Sequence, residues 1–193
     1  LFSLTALEIC EGQQMDMEFE QRNDVTAEEY LEMIRLKTAV LLAASLKIGA
    51  RLGGASVEDA DRLYDFGMHI GVAFQLKDDL LDVYGNAKVF GKNIGGDILC
   101  NKKTYMLIKA LEHANADQHN QLNSWINAET FQPAEKIAAV TELYDRIGVK
   151  AVCENKILEY SNRAMESLAA VSIAEEKKEE LKKIIENLIH REV

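Results

Sequence analysis

The sequence contains one proline among 193 residues, and no segment of four to eight residues alternates between apolar and polar side chains. Proline interrupts helices and such alternation is typical of half-buried strands, so both absences favour a helical protein. Cysteine is also scarce, because Cys10, Cys100 and Cys153 occur without CxxC spacing. This spacing gives no zinc site and predicts reduced thiols that fill the core of a cytoplasmic protein.

Long apolar runs and an excess of positive charge are missing too. The longest apolar run, TAVLLAASL, ends at Lys47, far short of the roughly 20 residues that span a bilayer. We therefore expect no transmembrane segment, and no signal peptide is recognisable. With 32 acidic and 22 basic residues, the net charge of -10 argues against nucleic acid as a partner and suits cations. A hydrophobic content of 48% predicts a single folded domain over residues 1–193.

Helix start and stop signals predict an all-α fold. Capping boxes or near variants and one first-turn proline mark starts, at TAEE from Thr26, SVED from Ser56, SIAE from Ser172, and Pro133. Glycines at 53–54 and 148 mark ends. The predicted helices cover residues 1–20, 27–50, 57–84, 102–116, 118–128, 133–147, 149–170 and 173–190. The glycine-rich connection from 85 to 101 is long for a link between helices, which is typical of a functional loop.

One predicted helix carries carboxylates on an otherwise apolar segment, GVAFQLKDDLLDVYG. On an ideal helix Gln75, Asp78, Asp79 and Asp82 fall within an arc of roughly 100°. The other directions are apolar with one exception, so this helix should be largely buried and the stripe cannot simply face bulk water. Clustered carboxylates repel one another, and burial of an uncompensated charge costs several kcal/mol. Positive charge must therefore lie nearby.

Two sources of positive charge fit this stripe. Oxygen ligands at i, i+1 and i+4 suit Mg²⁺, which keeps some waters and completes its shell with substrate phosphate; a structural network with lysines is the alternative. The next segment, FGKNIGGDILCNKKTYM, favours the metal. Its glycines let backbone amides approach an anion, and Lys92 and Lys102 supply charge to phosphate oxygens. Carboxylates beside lysines are consistent with Mg²⁺ bridging protein and diphosphate.

These motifs resemble those of a known family. FQLKDDLLD followed by GKNIGGDILCNKKT resembles the second aspartate-rich region and following loop of the trans-isoprenyl diphosphate synthases, also called polyprenyl synthetases. Upstream, GQQMD at 12–16 is similar to the GQxxD motif of that family, and YLEMIRLKTA is similar to its Y…KT helix. The motifs occur in family order over residues 12–106. The resemblance implies an isoprenoid synthase-type helical bundle, incomplete at its N-terminus, and a homodimer.

The resemblance also implies a reaction. Mg²⁺ ions bind the diphosphate of an allylic substrate and promote its departure, and isopentenyl diphosphate attacks the allylic cation in a 1′-4 condensation. Asp78 is implied as a direct Mg²⁺ ligand, with Asp79 and Asp82 supporting it directly or through water. Lys37, Lys92 and Lys102 are implied to hold the diphosphate. The Thr38 hydroxyl and the Gln75 amide are implied to stabilise the cation. The residues implied to bind substrate or act in catalysis are Gln13, Asp16, Lys37, Thr38, Phe74, Gln75, Asp78, Lys92 and Lys102.

One departure from the family pattern affects the expected activity. The first aspartate-rich motif and the basic residues that bind isopentenyl diphosphate have no counterpart in residues 1–70. We therefore expect the C-terminal part of a prenyltransferase that is inactive alone. The alternative is a non-catalytic homologous subunit with a regulatory or structural role. A terpene cyclase is a third possibility, which the aspartates disfavour because cyclases usually carry an Asn/Ser/Glu pattern in this region.

Overall fold

The computed structural model describes residues 1–85 and 94–189, and these residues form an all-α bundle without a strand. The predicted fold class is therefore confirmed. A π-helical segment, Arg35–Ala39, joins the second and third helices, and a 3₁₀ turn, Glu175–Lys177, precedes the last. The α-helices of the described residues are α1 (Phe2–Phe19), α2 (Ala27–Ile34), α3 (Val40–Leu52), α4 (Val57–Tyr84), α5 (Gly96–Leu99), α6 (Tyr105–His113), α7 (Ala116–Ile126), α8 (Pro133–Ile147), α9 (Val149–Ala169) and α10 (Glu179–Ile189).

Local signals in the sequence set several helix ends. At the start of α2, the Thr26 hydroxyl accepts a hydrogen bond from the Glu29 amide at 3.2 Å, and the Glu29 carboxylate accepts one from the Thr26 amide at 2.9 Å. This is the predicted capping box. The Ser56 hydroxyl caps α4 by accepting a hydrogen bond from the Asp59 amide at 3.0 Å. Pro133 opens α8, and Gly148, with φ +85°, ends it.

Most predicted helix bounds differ from the observed ones by a few residues, and two departures arise where distant contacts compete with local signals. The predicted helix over 27–50 is widened at its centre by the π segment. The start predicted at Ser172 is wrong, because the Ser172 amide donates to Asp59 Oδ1 at 2.9 Å and its hydroxyl accepts from Arg62. Helix α10 therefore begins at Glu179, after the 3₁₀ turn.

Helix α4 crosses the centre of the bundle and packs against both α3 and α9. Its contact with the π segment and α3 requires glycine, because a Cβ at Gly71 would lie 2.5 Å from Ala39 Cα. A Cβ at Gly67, one turn earlier, would lie 2.6 Å from Ala43 Cα. Gln75 follows Gly71 by one turn. The close approach therefore brings Gln75 against the π segment.

The cysteines only partly follow the expectation of core residues. Cys153 is fully buried and its Sγ contacts the Leu76 carbonyl, whereas Cys10 and Cys100 are exposed. All three thiols are free. In the part of the chain that the structure describes, no helix combines the length and the apolar character needed to cross a membrane.

Candidate active site

The site is built around the π segment, which carries Lys37 and Thr38. A π turn adds one residue to a helical turn, and such segments are frequent at functional sites. Here the two neighbouring side chains reach different helices. Lys37 Nζ lies 2.6 Å from Asp16 Oδ2 on α1, and the Thr38 hydroxyl donates to Gln75 Oε1 on α4 at 3.1 Å. Three helices thus meet through two consecutive residues.

Gly12 explains how α1 comes close enough for this arrangement. A Cβ at Gly12 would lie 2.4 Å from the Lys37 backbone nitrogen, so any other residue would push α1 away. Asp16 follows one turn later and faces Lys37 as a result. Gln13 is exposed and does not line the cavity around Lys37. Its assignment to substrate binding stays a prediction.

Asp79 lies inside the bundle at 3% exposure. Its Oδ2 accepts a hydrogen bond from the Tyr30 hydroxyl, and its Oδ1 accepts one from Gln75 Nε2 at 3.1 Å. Burial raises the pKa of Asp79 to about 7, although the Tyr30 hydrogen bond and Lys102 oppose this shift. Burial also raises the pKa of Tyr30, and the charge of Asp79 adds to the increase. Each carboxylate oxygen of Asp79 thus accepts a hydrogen bond from a protein group, and its assignment as a metal ligand stays a prediction.

Asp78 and Asp82 differ from Asp79 because both are half-buried. Asp82 Oδ2 accepts a hydrogen bond from the Asp97 amide at 2.9 Å, and the Asp82 carbonyl accepts one from the Gly95 amide at 2.6 Å. These bonds dock residues 94–97 against the end of α4. Within residues 1–85 and 94–189, no hydrogen-bond donor contacts the Asp78 carboxylate. Two carboxylates one turn apart therefore border the segment that leads to Lys102.

Lys102 completes the cavity from the other side. A cavity of about 30 Å³ is lined mostly by polar side chains, which are Asp16, Tyr30, Lys37, Thr38, Gln75 and Lys102, and also by Met33 and Ile34. Burial lowers the pKa of the Lys102 ammonium, yet the carboxylates of Asp97, Asp79 and Asp16 outweigh burial and raise the pKa overall. Lys102 Nζ lies 3.5 Å from Asp97 Oδ1.

The other lysines of this segment differ from Lys102. Lys103 lines a different cavity, and its Nζ donates to the Asn101 carbonyl at 3.3 Å. Lys92, which the sequence assigns to diphosphate binding, lies outside the described residues. Lys102 and Lys103 are neighbours in the sequence, yet their side chains line different cavities.

Two carboxylates of α4 are candidate ligands for Mg²⁺. Over residues 1–85 and 94–189, no three histidine, cysteine, aspartate or glutamate side chains converge to form a ready-made metal cluster. Mg²⁺ does not need one, because it is commonly held by one or two carboxylates, waters and substrate phosphate. Asp78 and Asp82 are hard oxygen donors on one side of α4 with part of their surface accessible. This donor pair fits Mg²⁺ that is shared with a diphosphate.

An apolar groove of about 950 Å³ adjoins the polar cavity. Lys37 and Thr38 line both, so the groove opens directly beside the cavity. Phe74 is 39% exposed and lines the groove, although the pattern of α4 predicts burial. The other apolar lining residues are Leu41, Leu42, Leu46, Phe66, Ile70, Leu181, Ile184 and Leu188. The groove has the size and lining to hold a hydrocarbon tail, and the small cavity beside it places charged side chains at one end of the groove.

The roles of Tyr30 and Asp97 were not predicted from the sequence. Tyr30 lies within the quoted Y…KT helix, but nothing local links it to Asp79, 49 residues away. The available signal is chemical, because a tyrosine on an apolar helix face needs a hydrogen-bond partner once it is buried. For Asp97, burial raises the pKa of its carboxyl group, and Lys102 opposes this shift. The feature of the sequence that could have indicated a role for Asp97 is its position between the glycines at 95–96 and Lys102.

Comparisons with known proteins identify the family of the chain. The sequence profile of the family described as Polyprenyl synthetase matches residues 1–144. A short chain isoprenyl diphosphate synthase of Methanothermobacter thermautotrophicus is 38% identical over 188 residues, which cover 97% of this chain and 57% of that protein.

Solved structures give the same result. A geranylgeranyl pyrophosphate synthase has a TM-score of 0.92 and 39% identity, over 98% of this chain and 59% of that chain. A geranylgeranyl pyrophosphate synthase from Corynebacterium glutamicum, complexed with isoprenyl diphosphate and magnesium, has a TM-score of 0.87 and 30% identity, over 97% and 53%. The chain therefore spans a little over half the length of these relatives. On its sequence, its fold and the arrangement of its motifs, it belongs to the polyprenyl synthetase family.

Proposed function

We propose that the protein containing this chain is a prenyltransferase that condenses an allylic diphosphate with isopentenyl diphosphate to give a longer polyprenyl diphosphate. The observation that carries this proposal is the junction at Lys37 and Thr38, two residues that line both the small polar cavity and the apolar groove. An allylic diphosphate has the same division between an anionic head and an apolar tail. The names of the relatives support the same substrate class.

Charged side chains of the cavity hold the diphosphate in this proposal. Lys37 and Lys102 donate charge-assisted hydrogen bonds to its outer oxygens. Asp78 and Asp82 hold Mg²⁺ together with the diphosphate, while Asp79 supports the site from behind through Gln75. Bound Mg²⁺ supplies positive charge that stabilises the departing diphosphate. Lys92 stays a candidate for the same role from outside the described residues.

The buried hydrogen bonds of α4 orient the groups near the reacting carbons. Gln75 donates its amide hydrogen to Asp79, so its carbonyl oxygen points to Thr38 and accepts the hydroxyl hydrogen. The lone pairs of Thr38 then remain for the cavity, where a negative dipole stabilises an allylic cation. The adjoining groove, with Phe74 at its wall, holds the hydrocarbon tail and excludes water.

The proposal extends to the state of the protein in the cell. We place it in the cytoplasm, supported by three free cysteines. We infer a homodimer, because Leu4 and Leu7 of α1 are 59% and 54% exposed, and a second copy would bury them. Residues 1–193 form one domain in this proposal.

Calorimetric titration with Mg²⁺ and inorganic pyrophosphate tests the assignment of the lysines. Lys102→Ala should weaken binding roughly tenfold or more, because a charge-assisted contact is lost, and added salt should weaken the remaining binding further. Lys103→Ala is the matched control, since Lys103 lines another cavity, and its affinity should stay near that of the wild type. Equal losses in the two variants would show that the lysines are wrongly assigned.

A radiolabel assay with isopentenyl diphosphate and an allylic diphosphate tests the reaction. The protein containing this chain should produce longer polyprenyl diphosphates. Binding of Mg²⁺ and pyrophosphate without any chain elongation would instead support the non-catalytic subunit.

A further inference from the structure

Lys136 on α8 is a buried ammonium with no role in the proposed reaction. The residue is 1% exposed, and burial lowers its pKa. Its Nζ donates to Asn101 Oδ1 at 2.7 Å and to the Leu99 carbonyl at 3.4 Å, and it lies 4.2 Å from the centre of the Phe131 ring. Among the described residues, no carboxylate lies within 4 Å of this ammonium.

Burial of an ammonium group without an anionic partner is unfavourable. A methionine of similar length would fill the same space without that cost. The charge of Lys136 therefore contributes something that an apolar side chain would not. Its three donor directions are taken by Asn101, a carbonyl and an aromatic face, which fixes the ammonium and the groups around it.

Asn101 is the residue that this ammonium orients. With φ +52°, it is the one non-glycine residue in the left-handed region among the described residues. Its Nδ2 donates to the Ile126 carbonyl at the end of α7 at 2.9 Å, while its Oδ1 accepts from Lys136 on α8. Both ends of the side-chain amide are thus fixed by two different helices.

Lys102 follows Asn101 directly, and its backbone amide donates to the Asp97 carbonyl at 3.0 Å. A small cavity is lined by Asp97 and Lys102 as well as by Asn101 and Lys136. The contact with Lys136 therefore acts on the same short segment that carries the diphosphate-binding lysine. A segment that is held before binding loses less conformational freedom when the ligand arrives.

We propose that Asn101 and Lys136 form a clamp that positions Lys102 for diphosphate binding. Both are positioning residues, since neither lines the cavity of Lys37. The inference rests on the proposed function, because it assumes that Lys102 binds diphosphate. Without the clamp, the segment around Lys102 would have to be ordered by the ligand.

Calorimetry with Mg²⁺ and inorganic pyrophosphate tests the clamp in the protein containing this chain. Lys136→Met keeps the length of the side chain but removes its donors, and Asn101→Gly keeps access to positive φ but removes the amide. Each should weaken binding by roughly threefold to tenfold. The double variant should lose less affinity than the sum of the two single losses, because both changes break the contact between Asn101 and Lys136. Lys183→Met, at an exposed ion pair on α10, is the control and should leave affinity unchanged.

Thermal unfolding and steady-state kinetics separate positioning from a purely structural role. A structural role would move the unfolding temperature and leave affinity unchanged, whereas the clamp predicts a higher KM for the allylic diphosphate with a smaller change in kcat. Unchanged affinity in either folded variant, or additive losses in the double variant, would overturn the clamp. If Lys102→Ala weakens binding and the clamp variants do not, only the clamp is wrong. If Lys102→Ala leaves affinity unchanged, both proposals fail.

Discussion

Asp79→Asn should change the pH dependence of stability, because the buried carboxyl resists ionisation. The pKa of Asp79 rises from 3.8 to about 7 in the folded protein, an increase of about 3 pH units. Each unit corresponds to about 1.4 kcal/mol, so the increase amounts to about 4 kcal/mol. This is an upper value, since the site relaxes around the charge.

The sign follows from which state holds the proton more tightly. Below pH 4 the carboxyl is protonated in both the folded and the unfolded protein, and its contribution to stability is fully present. Between about pH 4 and pH 7 the unfolded chain releases the proton while the folded protein keeps it, so the free energy of unfolding falls. Above about pH 7 both states are ionised and the contribution is lost.

Urea unfolding from pH 4 to pH 8.5 in EDTA measures this effect. Asparagine has nearly the same shape and does not titrate, so the difference between wild type and Asp79→Asn isolates the carboxyl. The variant should gain up to about 4 kcal/mol relative to wild type as pH rises. A difference that stays flat or reverses would refute the reasoning. Tyr30→Phe provides a second test: the Tyr30 hydrogen bond lowers the pKa of Asp79, so its loss should extend the decline to higher pH.

Two further substitutions test the metal site and the helix packing. Asp78→Ala should reduce prenyl transfer roughly 100-fold or more in excess Mg²⁺. It should not lower the unfolding temperature, because it also removes repulsion between carboxylates. Near-normal turnover with lost stability would contradict the assignment of Asp78 as a metal ligand. Gly71→Ala should cost about 1–3 kcal/mol in urea unfolding, since its Cβ would lie 2.5 Å from Ala39 Cα. Gly49→Ala is its control, because a Cβ there meets nothing within 4 Å, and equal losses would show that the contact is not limiting.

Helix ends were predictable where a few neighbouring residues decide them. Thr26 with Glu29 and the glycine at 148 act within one turn, so the sequence contains the whole signal. Ser172 carries the same local signal, yet its amide is bound by Asp59, 113 residues away. The π segment has a similar origin, because it lies where α1 and α4 approach at Gly12 and Gly71. Contacts of this kind depend on the fold and are not visible in local patterns.

In the site, too, the sequence predicted one property of the side chains and not another: the helix face on which they lie, but not how deeply they are buried. Helical spacing places Gln75, Asp78, Asp79 and Asp82 on one side of α4, and they do lie there. Spacing does not say how deep each side chain is buried. Asp79 is turned inward by Tyr30 and Gln75, while Asp78 and Asp82 keep access to the surface. The sequence pattern therefore predicted the carboxylate stripe of α4, but it did not predict that Asp79 is buried while Asp78 and Asp82 stay accessible.

Under the proposed function, a protein of net charge -10 has to bind a polyanion, and the charges around the cavity decide what that binding requires. Lys37 is paired with Asp16 at 2.6 Å, and Lys102 lies 3.5 Å from Asp97. In this state the lysine charges are largely neutralised, so free diphosphate would meet as much repulsion as attraction. Mg²⁺ at Asp78 and Asp82 changes this balance, because it adds positive charge where the carboxylates cluster. Metal and diphosphate should therefore each increase the affinity for the other, as thermodynamic linkage between two sites requires.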